Sequence, residues 1–122
     1  MTQWAEHTDG IIALMRTLRG DAPAVMKAFS GLAQAALAPK ALDGKTKELV
    51  ALAISVAIRC DDCIGFHVKS ALDQGATREE VIETLGMAIY MGAGPAVMYA
   101  THALEAFEQF KNASDKPATT AA

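Results

Sequence analysis

Aromatic residues make up only 6% of this 122-residue chain: one Trp, two Tyr and four Phe. Strands draw on aromatic and β-branched residues, and no segment shows the alternating apolar pattern of a half-buried strand. Basic runs are missing as well, and the formal charge of −3 leaves a nucleic-acid partner without support. The longest apolar run, Leu49 to Ile58, broken only by Ser55, is far short of the ~20 residues a membrane span requires. No basic segment followed by an apolar one opens the chain. No signal peptide and no membrane partner are therefore expected, and the location is expected to be cytoplasmic. Cysteine is scarce too, with two residues in all. In a reducing compartment a lone pair reads as redox-active or metal-binding rather than as a staple.

What remains is rich in alanine and aliphatic residues, and 52% of the chain is apolar. That composition suits closely packed helices, so the expected class is all-α, with about six helices around a central antiparallel hairpin. Ile11, Leu14, Met15 and Leu18 have helical spacing, and Gly20 fits a stop. Asp21 is placed as the cap of a second helix, with Pro23 in its first turn and Val25, Met26, Phe29, Leu32 and Ala33 repeating with helical period. Asp43 caps a third helix that is apolar on every side from Leu49 onward, as in a central or partner-covered helix. A fourth starts near Cys60 or Asp61 and ends at Asp73-Gln74-Gly75. Thr77-Arg78-Glu79-Glu80 reads as a capping box for a fifth. Gly92-Ala93-Gly94-Pro95 is expected to break that helix before a last one that turns Val97, Met98, Ala100, Leu104 and Phe107 inward. One domain over residues 1–113 is expected, followed by a flexible tail over 114–122.

Cys60-Asp61-Asp62-Cys63-Ile64-Gly65-Phe66-His67 concentrates the chemistry. On a helix Cys60, Cys63 and His67 share one stripe. The hairpin adds a carboxylate. Glu48 stands eleven residues before Arg59, at the turn, and falls opposite Ser70, one turn beyond His67. In a continuous helix it would lie ~18 Å from Cys60. At the first turn of a helix Cys63 gains from unpaired N–H groups, and His67 can accept its proton. Asp61 and Asp62 act against a thiolate. Redox chemistry is the favoured reading of the stripe. Zinc would require a fourth ligand such as Glu48 or His102 beside Cys60, Cys63 and His67. His7 and His102 are otherwise read as surface or packing residues, and Trp4, Tyr90 and Tyr99 as core or interface aromatics with a polar handle.

Glu48 with Cys60-x-x-Cys63-x-x-x-His67 resembles the core of the alkyl hydroperoxidase D and carboxymuconolactone decarboxylase-like family. The helix exit and capping box over 70–80 and the Gly92-to-Ala96 turn extend the resemblance to about residues 42–106. It implies a thiol-dependent hydroperoxide reductase in which Cys63 attacks, Cys60 resolves through a Cys60–Cys63 disulfide, and Glu48 and His67 relay protons. It implies no bound cofactor and no metal, an external reductant such as a dihydrolipoyl group on an adaptor protein, and a homo-oligomer, trimer or hexamer. The best-known members carry a histidine just before the second cysteine; this chain has Asp62 there, which weakens the implied relay. The alternatives are a decarboxylase-like small-molecule enzyme and a non-catalytic redox-sensing or metal-binding oligomer.

Overall fold

Helices α1 (Trp4–Asp21), α2 (Pro23–Leu37), α3 (Gly44–Ala57), α4 (Asp61–Asp73) and α5 (Arg78–Asp115) make up the computed structural model, which describes residues 1–116. No strand occurs among the described residues. The fold is all-α. α5 is two helices end to end, because Ala93 leaves helical geometry at φ 56°, ψ −144°. Segments 78–92 and 94–115 therefore make about six helical pieces, as expected. The Gly92–Pro95 stretch kinks the helix instead of opening a loop. A Cβ on Gly92 would sit 2.7 Å from that of Ala96, so only glycine fits against the next turn.

The starts of α3 and α5 follow their capping residues. Asp43 accepts from the Thr46 backbone N–H at 2.7 Å, and Thr77 and Glu80 form a complete capping box. The start of α2 differs from expectation: Ala22 occupies the N-cap, while Asp21 is the last residue of α1. Pro23 explains this, since its fixed φ suits the first helical position and requires no side-chain cap. α5 continues through Asp115, so the first residues of the expected tail are helical; residues 117–122 lie outside the described part.

α3, α4 and α5 pack on one another, with Leu52, Val56, Ile64, Val68 and Val81 fully buried among them. Each such side chain contributes roughly 1.5–3 kcal/mol on burial. Ala96, Ala100, Ala103 and Ala106 form a small-residue stripe that brings the second half of α5 close to its neighbours. An 18-residue stretch of α5 has mean hydropathy 1.3, enough by length and composition to cross a membrane. Here the alanine stripe faces the core, while Met87, Met91, Val97 and Met98 lie on the surface.

Val25, Phe29 and Leu32 do not point inward. All three are exposed, and α2 has no buried residue. α2 touches only α1 and α3, and Lys47 Nζ donates to the Ala36 and Ala38 carbonyls at its C-terminal end. Val97 and Met98 are also exposed, contrary to expectation, whereas Ala100 and Phe107 are buried. The third helix buries one face, through Glu48, Leu52, Ser55 and Val56, and leaves Val50, Ile54 and Ile58 open.

The starts of α3 and α5 are also tied by charge. Lys45 Nζ lies 2.8 Å from Glu80 Oε2, and this ammonium, with the Thr77 backbone N–H, holds the Glu80 carboxyl below its ordinary value. Thr46, through its hydroxyl and then its backbone N–H, does the same for Asp43. A carboxyl lowered in the folded state contributes stability above its unfolded value, and that stability is lost as pH falls through the folded one. Thermal stability should therefore decline as pH drops below about 4, and Glu80→Gln should flatten part of the decline. A melting temperature that stays level from pH 6 to pH 3 would refute this account.

Candidate active site

The α3–α4 reversal turns on Arg59, whose φ of 62° lies in the left-handed region. Cys60 N–H donates to the Ser55 carbonyl at 3.0 Å, closing the turn on the end of α3. Cys60 then serves as the N-cap of α4, with its Sγ accepting from the Cys63 backbone N–H at 3.2 Å. Cys60 is thus extended, outside the helix, and only Cys63 and His67 share a helical stripe, one turn apart. The sulfurs meet nonetheless. Cys60 and Cys63 are joined by a disulfide, with Cα atoms 5.2 Å apart.

The hairpin brings Glu48 to His67. His67 Nδ1 donates to Glu48 Oε2 at 2.7 Å, joining residues nineteen apart in sequence. The carboxylate side chain is 10% exposed and the imidazole 29%. Glu48 lies on the buried face of α3 with Leu52, Ser55 and Val56, so its carboxylate could not remain there without a donor. With the Nδ1 proton committed to Glu48, Nε2 is the basic nitrogen of His67. The arrangement offers a cysteine pair that can open and close and an oriented imidazole one turn away.

Residues 23–106 match the model of the carboxymuconolactone decarboxylase family. The chain belongs to that family. The match begins at α2, earlier than the motifs alone indicate. A family protein of known structure from Legionella pneumophila is 52% identical, superposes with a TM-score of 0.86, and aligns over 88% of this chain and 96% of its own. A second, from Thermotoga maritima, for which a part in an antioxidative response has been suggested, is 31% identical with a TM-score of 0.76, over 84% and 91% of the two chains. An uncharacterized protein of Haemophilus influenzae is 40% identical over 87% of this chain and 94% of its own length. One from Cupriavidus necator is 46% identical over 70% and 76%.

Two further histidines of this family member stand at the cysteine turn. His102 Nδ1 donates to Asp61 Oδ1 at 2.7 Å, and His7 Nε2 to Asp62 Oδ1 at 2.5 Å. Both imidazoles also pack on aromatic rings, His7 edge-on to Trp4 and His102 against Tyr99. A surface or packing role was the expectation for them; the contacts with the aspartates were not. Those pairs span 55 and 41 residues, beyond the reach of any local spacing rule. The one signal in the sequence is chemical: two carboxylates beside two thiols call for counter-groups.

α1 reaches this turn because Trp4 is buried and latched. Its backbone N–H donates to Gln109 Oε1 and its indole N–H to Glu105 Oε1, both at 2.9 Å. On α4 the facing residue is Gly65, where a Cβ would lie 3.1 Å from Trp4 Cε3 and from Thr8 Oγ1. Trp4 cannot yield while both latches hold. Gly65→Ala should thus lower stability by about 1–3 kcal/mol in chemical denaturation and red-shift the emission of the single tryptophan. Wild-type stability and emission in that variant would show that α1 is loosely seated.

Proposed function

We propose that this chain is a thiol-dependent hydroperoxide reductase that cycles through the Cys60–Cys63 disulfide. The observation that carries the reading is the disulfide at the start of α4, one turn from an imidazole oriented by a nearly buried carboxylate. The antioxidative role suggested for the Thermotoga relative points the same way. The reading follows the cysteine pair and not the family's name, because decarboxylation of a lactone makes no use of a dithiol.

In the cycle, Cys63 loses its proton to Nε2 of His67, helped by the first turn of α4. The thiolate attacks the terminal oxygen of the hydroperoxide, the O–O bond breaks, and the departing alkoxide takes a proton from His67. Cys63 is left as a sulfenic acid. The Cys60 thiol attacks that sulfur, and hydroxide leaves with the thiol proton as water. One hydroperoxide and two thiols have become one alcohol, one water and one disulfide. An external dithiol of the dihydrolipoyl class then reduces the disulfide by exchange. Glu48 holds His67 in place throughout.

In Cys60→Ser the sulfenic acid has no resolving partner. Peroxide followed by a dimedone probe should label Cys63, and turnover with dihydrolipoamide should stop. Labelling absent from Cys63, or full activity in a variant lacking both cysteines, would overturn the reading.

A homo-oligomer, trimer or hexamer, is proposed on separate grounds. The chain exposes 7977 Å² of surface, whereas a compact monomer of 12.8 kDa exposes about 6,300 Å². The excess is about twice the ~800 Å² that each partner buries in a standard protein interface. Val25, Phe29 and Leu32 of α2 and Val50, Ile54 and Ile58 of α3 are exposed. Between these helices runs a groove of about 310 Å³ lined by Ala36, Leu37, Leu42, Val50, Ala51 and Ile54. A 15-residue helix with no buried residue is marginal by itself, so a second copy is the natural cover for α2. Light scattering should give a multiple of the chain mass, reduced in Ile54→Asp. A monomeric wild type would refute the assembly.

A further inference from the structure

Asp61 and Asp62 lie in the first turn of α4, and each is held by a histidine from a different helix: Asp61 by His102 of α5, Asp62 by His7 of α1. Neither imidazole is a loose surface group. His102 rests on Tyr99, ring centroids 5.0 Å apart, and His7 stands perpendicular to Trp4 at 6.2 Å. Trp4 is itself latched to Glu105 and Gln109 of α5. Three helices thus converge on the segment between the two cysteines, and both of its carboxylates are engaged.

The charge balance at this turn explains what the pairs are for. When the disulfide is reduced, attack on a hydroperoxide requires a new anion at Cys63. The unpaired N–H groups of the first turn favour that anion. Asp61 and Asp62 disfavour it, since nearby carboxylates stabilise the neutral thiol. A ring N–H donated to a carboxylate offsets part of its charge, and a protonated imidazole cancels it.

We infer that His7 and His102 are positioning residues for Cys63, holding Asp62 and Asp61 so that two negative charges beside the sulfur do not suppress the thiolate. The inference rests on Cys63 being the attacking cysteine. It accounts for an aspartate directly before that cysteine: the imidazole that accompanies this position arrives from α1.

The test uses Cys60→Ser protein in its full length, reduced, with the rate of iodoacetamide alkylation of Cys63 followed by intact mass at pH 7. Alkylation needs no peroxide, so failure of the peroxidase reading leaves the measurement valid. His7→Ala and His102→Ala should each slow alkylation by about twofold to fivefold, the range carried by half-exposed charge pairs. Adding Asp62→Asn to the first, or Asp61→Asn to the second, should restore the rate to that of Cys60→Ser or above. Asp61→Asn or Asp62→Asn with both histidines present should be at least as fast as Cys60→Ser. Unchanged rates in both histidine variants would overturn the inference. So would a slowed rate that the matching Asp→Asn leaves slow, since the histidines would then act only by holding the fold.

Discussion

A carboxylate on the inner face of a core helix is expensive to desolvate, and Glu48 occupies such a place beside Leu52, Ser55 and Val56. Among the described residues His67 relieves it, at 2.7 Å across the α3–α4 hairpin. The pair therefore sets the relative height of the two helices as well as orienting the imidazole. Sliding α4 by one turn would strand the carboxylate and carry Cys63 away from the reversal at Arg59. The same contact that aligns the hairpin holds the histidine nearest in sequence to the cysteines. Structure and chemistry share an interaction here, so neither can be altered alone.

Around that hairpin the rest of the chain closes on the cysteine turn from two sides. α1 arrives through Trp4, buried and hydrogen-bonded twice to α5, over a glycine that leaves room for the indole. α5 arrives through its alanine stripe, whose small side chains permit close approach. Each carries one histidine to one aspartate. The turn that holds two carboxylates beside the cysteines is thus supplied with two imidazoles.

The apolar pattern of the outer helices has a different origin. Val25, Phe29 and Leu32 recur with helical period and yet face outward, as do Ile54 and Ile58 on α3. Periodicity reports that a face avoids water; it does not say whether the cover comes from the same chain. In α2 the period is correct and the direction is not inward, because the core is already filled by α3, α4 and α5.

Local chemistry along the chain determined the all-α class, the capped starts at Asp43 and Thr77, the reversal before Cys60, and the family that the Glu48, Cys60, Cys63 and His67 pattern resembles. These are decided within a few residues, by caps, spacing and glycine. Even the Glu48–His67 approach was legible, because a short hairpin makes sequence distance a ruler. Beyond that reach the sequence is silent. Which way α2 faces, how Ala93 lets α5 kink and continue, and that His7 and His102 meet Asp62 and Asp61 were settled only by tertiary packing. The physical reason is separation: partners 41 and 55 residues apart are chosen by how whole helices dock, and no local preference encodes that choice.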